Sequence, residues 1–312
     1  MPAQDSALVV GSLAFDDLDM PTGNFRNVLG GAATYSSIAA SLVSPVRLVG
    51  VVGADFDEKH LAMLKSRGVD IAGVERKAGK TFRWHGRYSK DLGSRESLDT
   101  QLNVFADFKP KIPDAYKKSA VVLLGNIHPK LQVDVLGQVD RDARTLVIAD
   151  TMNFWISGEP AALAEMLAKV DLLVINDEEA RQLAKMDNIT VAARAIRKLG
   201  PKRLIIKRGE HGALLFDDDG VFFVPGYPLE EVRDPTGAGD TFAGGLAGYL
   251  ARTKDRSGRA VRRGMFYASA LASFCVEGIG PERLLAVGKG DLEERLKAFT
   301  SMVDYGGTLG YD

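Results

Sequence analysis

Short apolar runs alternate with longer amphipathic segments along almost the whole chain. Runs such as VVLLG and DLLVI have no polar face, which marks strands buried on both sides within a largely parallel sheet. This pattern predicts strands at 7–13, 46–52, 120–124, 145–149, 171–175, 203–207, 213–216 and 221–224. The segments between them predict helices at 31–42, 55–66, 131–141, 160–169, 177–185 and 190–199. Three more follow at 238–251, 257–276 and 291–301. Strands alternating with helices specify an α/β protein whose sheet is covered on both faces, an α/β/α sandwich of three layers.

One stretch departs from this rhythm. TFRWHGRY at 81–88 and QLNVFADF at 101–108 each alternate polar and apolar residues, and the polar segment 89–100 joins them. They predict two antiparallel strands which, with 15–28, would make a small sheet beside the main one. A sheet flanking a cleft is a natural lid; the bland alternative is an exposed extension. Phe82, Trp84 and Tyr88 are even-spaced and fall on one strand face, either to stack a ligand or to pack against the protein. No linker, repeat or low-complexity segment divides the chain. Residues 1–312 are therefore expected to form one α/β domain, with 15–28 and 81–108 as its lid.

Composition narrows the class. Of 312 residues, 46% are apolar and 26% charged, as in ordinary globular proteins. Forty Lys and Arg against forty-one Asp and Glu leave a net charge of −1, so no basic excess points to nucleic acid or an anionic membrane. The single cysteine, Cys275, lies in an apolar run and excludes an intramolecular disulfide framework. The opening MPAQDSALVVGSLAF has neither a basic region nor a long apolar core, and no stretch approaches about 20 apolar residues. A cytoplasmic location is the expectation.

The chemistry concentrates in DPTGAGDTFAGG, residues 234–245. Gly237 and Gly239 allow a tight turn and present bare N–H groups at the positive end of the following helix, an anion-binding pocket. Asp240 stands at its edge. Phosphoryl transfer to an alcohol needs that pair of features, charge stabilisation and a base for the hydroxyl proton. The plain alternative is a helix start at which Asp240 only complements the dipole.

This segment closely resembles the C-terminal signature Asp-Thr-x-Gly-Ala-Gly-Asp of the PfkB (ribokinase-like) carbohydrate kinases. Other pieces follow in that family's order: GSLAFD (11–16), LGGAATYSS (29–37), VGVVGADF (49–56), INDEEA (175–180) and KRGEHG (207–212). The resemblance implies a ribokinase-like fold with a mostly parallel central sheet and a small β-sheet lid. It also implies ATP-dependent phosphorylation of a primary hydroxyl on a sugar or sugar-containing metabolite, with magnesium on the nucleotide. A free sugar is expected ahead of a nucleoside, and both ahead of a non-catalytic sugar- or nucleotide-binding relative. The lid would also be the surface for pairing two copies into a homodimer. A dinucleotide oxidoreductase would need Gly-x-Gly-x-x-Gly after the first strand, where GSLAFDDL stands.

On the same resemblance, Asp240 is the general base, and Gly237, Ala238 and Gly239 form the anion hole. Asp16 grips vicinal hydroxyls, while Gly30 and Gly31 let the backbone approach the sugar. His128 and Asn103 are weaker substrate-facing candidates. Asn176 and Glu179 would organise magnesium and phosphates, and Asn176 also reads as a helix cap. Lys207, Gly209 and Gly212 would line the nucleotide site. Asp234 and Thr236 match positions that hold a monovalent cation, potassium, in some relatives. Two departures stand out. Tyr35 occupies a place usually held by Asn, and DTMNFW at 150–155 lacks the arginine that reads a substrate carboxylate, which argues against an acid sugar.

Overall fold

A computed structural model describes residues 6–304 and 306. Its first strands are β1 (Ala7–Val10), β2 (Ala14–Met20), β3 (Gly23–Gly30), β4 (Val46–Val52) and β5 (Val69–Arg76). Next come β6 (Phe82–Tyr88), β7 (Arg95–Gln101), β8 (Val121–Leu124) and β9 (Leu146–Ala149). The last are β10 (Leu172–Asn176), β11 (Arg203–Lys207), β12 (Ala213–Asp217) and β13 (Gly220–Val224). Nine of these form one sheet in the order β13-β12-β11-β10-β9-β8-β1-β4-β5, parallel except where β12 pairs with β11 and β13.

Period-two side-chain direction explains the apolar runs. In β1, Ala7 and Val9 enter the core on one face of the sheet, while Leu8 and Val10 enter the core on the other. β8 divides in the same way, with Val121 and Leu123 on one side and Val122 and Leu124 on the other. Each large side chain so buried is worth roughly 1.5–3 kcal/mol. One face is covered by helices Ala32–Ser41, Ala238–Thr253 and Gly258–Cys275. The opposite face is covered by Pro129–Leu136, Pro160–Leu167 and Ile189–Arg197.

β5 carries no continuous apolar run and was not among the expected strands. It is the sheet's edge, paired among the described residues only with β4, so half of its side chains can be polar. β1 also stops at Val10 rather than 13. The chain then turns through Ser12, whose carbonyl accepts the Ala33 N–H and whose hydroxyl accepts the Ala32 N–H.

The second sheet has the order β3-β2-β6-β7, with β2 and β6 parallel. Its fourth strand corrects the expectation for 101–108. The strand is Arg95–Gln101, within the polar segment, whereas Asn103–Phe105 form a 3₁₀ turn. Asn103 adopts φ 49°, which ends any extended run. Val104 and Phe108 are buried under the main sheet, so the apolar residues of 101–108 anchor a turn rather than one face of a strand. The exposed edge strand needs few apolar residues. The aromatic stripe packs inward: Trp84 and Tyr88 join Leu18 and Met20 in the small sheet's own core, and Phe82 stacks on Phe105 at 5.4 Å. Among the described residues, no helix is long and apolar enough to cross a membrane.

The reassignment of 95–108 has a direct consequence for stability. Phe108→Ala should cost about 3–5 kcal/mol in denaturant unfolding, whereas Glu96→Ala on the exposed edge strand should stay within about 0.5 kcal/mol. Equal effects would contradict this placement.

Candidate active site

Helix Ala238–Thr253 begins with Gly237 in the left-handed region at φ 75°, and no side chain caps its first turn. The Ala238 N–H donates to the Pro235 carbonyl at 3.3 Å, which leaves the next N–H groups, those of Gly239 and Asp240, to face an anion. Glycine is required at 237 for a second reason: a Cβ there would lie 2.4 Å from the ring of Tyr35. Tyr35 thus forms the floor of the loop, almost wholly buried. The Ser36 hydroxyl donates to the Asp240 carbonyl at 2.9 Å and fixes the helix start against helix Ala32–Ser41.

Lys207 ends β11 and lies against this loop, since a Cβ on Gly239 would come within 2.8 Å of its Nζ. The ammonium is 3.5 Å from Oδ2 of Asp150, the residue after β9. Burial pushes the Lys207 pKa down, but Asp150, Glu179 and Asp240 outweigh it and leave the pKa raised. Burial, and then the charge of Asp150, push Asp240 up to about 7 against the opposing pull of Lys207 and Arg95. Glu179 is likewise pushed to about 7, by burial and Asp150. Asp16 reaches about 8 through burial and the charges of Asp234 and Asp240. The acids are drawn from distant parts of the chain into one pocket and outnumber the cations.

Asp16 lies beyond the end of β1, on β2 of the small sheet, and is buried. Gly30 leaves room for it, because a Cβ there would fall 2.0 Å from the Asp16 carboxylate. Gly31 is the N-terminal cap of helix Ala32–Ser41. Asn176 and Glu179 form a reciprocal cap: Asn176 Oδ1 accepts the Glu179 N–H at 2.7 Å, and Glu179 Oε2 accepts the Asn176 N–H at 2.8 Å. Glu179 keeps its carboxylate in the pocket while serving the helix.

Other expected residues are tied up in local structure. Asp234 accepts the Thr236 N–H through Oδ1 and the Gly280 N–H through Oδ2, both at 2.8 Å, so it fastens two loops together. Thr236 Oγ1 is 2.7 Å from the Tyr88 hydroxyl. His128 caps helix Pro129–Leu136 through Nδ1 and packs against Trp155. Asn103 is exposed and donates to the Thr81 carbonyl. Gly212 is held by β13, since a Cβ would meet the Val224 carbonyl at 2.1 Å, whereas Gly209 faces open space. Burial pushes the Cys275 thiol up to about 12, which keeps it inert.

Two residues of the pocket were not singled out as site residues from the sequence. Asp150 stands just past the carboxyl end of a central parallel strand, the position at which such sheets bind ligands, and that placement was an available signal. Arg95 lies in a polar run that gave none.

An open helix N-terminus, a lysine against it and a ring of carboxylates at the strand ends define a small-molecule phosphotransferase. The model of the pfkB family carbohydrate kinases matches residues 4–285, and the chain belongs to this family. It is 32% identical to a cytidine kinase of Thermococcus kodakarensis over 78% of this chain and 87% of the relative. It is 27% identical to a nucleoside kinase of Methanothermobacter thermautotrophicus over 96% of both chains. The fold matches Arabidopsis thaliana ribokinase, solved with ribose and ATP, at a TM-score of 0.74 and 23% identity, covering 94% of this chain and 99% of that one.

The raised Asp240 pKa links this site to stability. Its folded pKa of about 7 exceeds the value near 3.8 of an exposed aspartate, so its stabilising contribution is complete below about pH 4 and is lost as pH rises through 7. Asp240→Asn should therefore match the wild type only at about pH 4 and below, and exceed its Tm at pH 8 by about 2–4 °C per kcal/mol relieved. A pH-independent difference in thermal melts would contradict this.

Proposed function

We propose that this kinase transfers the γ-phosphoryl group of ATP to the primary hydroxyl of a nucleoside's ribose. The observation that carries the reading is the convergence of Asp16, Asp240 and Lys207 on the open start of helix Ala238–Thr253. Backbone N–H groups of the glycine loop, those of Gly237 and Gly239, and the Lys207 ammonium receive the phosphate oxygens. Asp240 takes the proton of the attacking hydroxyl, for which a pKa near 7 is well matched. Asp16, deep beside Gly30, hydrogen-bonds a vicinal diol through its two carboxyl oxygens and penalises acceptors that lack it.

The acid-rich pocket fits a nucleotide carrying magnesium. Glu179 and Asp150 would hold the ion, whose chemistry there is neutralisation of phosphate charge. The small sheet acts as the lid, which excludes water from the transfer site. A nucleoside is preferred over a free sugar because the cytidine kinase and the nucleoside kinase are matched over most of their lengths. The diol-binding Asp16 suits a free sugar equally, and that is the second reading.

A coupled ADP-release assay with nucleosides and free sugars separates the two. The best nucleoside should exceed every sugar in kcat/KM by about tenfold or more; the reverse order would establish the sugar reading. With the best acceptor, Asp240→Asn should lower kcat by about 10²–10⁴-fold and leave ATP binding nearly unchanged. Retention of more than about a tenth of the activity would remove Asp240 from the role of base. Wild-type kcat/KM should rise with pH up to about 7, as Asp240 becomes ionised.

A further inference from the structure

Helix Pro129–Leu136 turns Pro129, Gln132, Val135 and Leu136 toward the interior, the spacing of an apolar stripe. Val135 and Leu136 enter the core on this side of the sheet, and Gln132, in the same stripe, is fully buried. A glutamine is a costly occupant of such a slot, because both ends of its amide lose water. The end that carries the protons is satisfied: Nε2 donates to the Gly125 carbonyl and to the Asp150 carbonyl, both at 2.9 Å. Oε1 has no hydrogen-bond partner among the described residues. The two carbonyls lie just past the end of a ladder. β8 and β9 pair from Val121 with Leu146 to Leu124 with Ala149, and the Asp150 N–H still reaches the Leu124 carbonyl at 3.0 Å. Past that point Gln132 takes over, and one side-chain amide ties both strand ends.

We propose that Gln132 is a positioning residue, which holds the strand ends at Gly125 and Asp150 so that the Asp150 carboxylate is aimed at Lys207 and at the magnesium of the nucleotide. This rests on the kinase reading above, in which Asp150 and Glu179 hold the ion. Asp150 is fixed at three atoms. Its N–H is bonded to Leu124, its carbonyl to Gln132, and its Oδ1 accepts the Thr151 N–H at 2.8 Å. Oδ2 is then left to face Lys207 at 3.5 Å. The placement of Asp150 matters beyond its own contacts, since its charge acts on Lys207, Glu179 and Asp240. An apolar side chain at 132 would fill the stripe without an orphaned oxygen, but it would release the two carbonyls and with them the strand ends. Removing a group that orients a metal-holding side chain from behind typically changes metal affinity or activity by about 10–100-fold.

The experiment uses the full-length enzyme with ATP, magnesium and the best acceptor. Gln132→Met keeps the length of the side chain and loses both donors. It should raise the half-saturating concentration of free magnesium by about tenfold or more, with the acceptor KM within about threefold of wild type. A second readout needs no turnover: the rise in Tm that ADP with magnesium gives over ADP alone should fall by more than about half. Asp150→Asn should show the same defects, and Gln132→Met in that background should add less than about threefold, because it acts through Asp150. Gln138→Met is the control for a structural amide. Gln138, just past the same helix, also bridges two backbone groups, the Pro110 carbonyl and the Ile112 N–H. Its loss should lower Tm and leave the magnesium dependence unchanged. If Gln132→Met does not fold, Gln132→Glu, of the same shape, takes its place with the same outcomes. A magnesium requirement within about threefold of wild type overturns the proposal, as does a full effect of Gln132→Met on top of Asp150→Asn. A wild-type protein that neither transfers a phosphoryl group nor is stabilised by ADP with magnesium overturns the kinase reading as well, whereas an active wild type with an unaffected Gln132→Met overturns this inference alone.

Discussion

Asp150, Glu179 and Asp240 are held out of water around one lysine, Lys207, and Asp16, from a fourth segment, is buried against the charge of Asp240. Like charges so placed cannot all be ionised together without a large cost, and their titrations belong to the group rather than to any one acid. Much of the architecture holds this unfavourable cluster in place. The strand ends fix Asp150 and Lys207, a helix cap fixes Glu179, and packing against helix Ala32–Ser41 fixes the start of the helix that carries Asp240. A nucleotide with its metal ion would replace that strain with compensated charge, so the site is least comfortable when empty.

The main sheet was readable because its strands are buried on both faces, and alternate residues feeding two cores leave an unbroken apolar run. β7 was not readable, because an exposed edge strand puts no comparable demand on composition. The alternation at 101–108 was real but had another cause: Val104 and Phe108 anchor a turn whose backbone is not extended. At the site, the glycine loop and Asp240 were legible because backbone geometry and charge lie within one short segment. His128 and Asn103 carried plausible polar groups, yet a helix end and the Thr81 carbonyl engage them first. Arg95 was not legible, because the carboxylates it faces lie far away in the sequence.

The parallel pairing of β2 with β6 brings Ala14 beside Phe82 and Asp19 beside Arg87. No hairpin can close that ladder locally. The intervening chain contains β3, β4, β5 and two helices, and its loop-closure entropy opposes the contact until the main sheet has gathered them. During synthesis, Leu18 and Met20 therefore emerge from the ribosome well before Trp84 and Tyr88, the residues that complete their core. For that interval the nascent chain carries an uncovered apolar strand edge, and it is there that a chaperone would find its handhold.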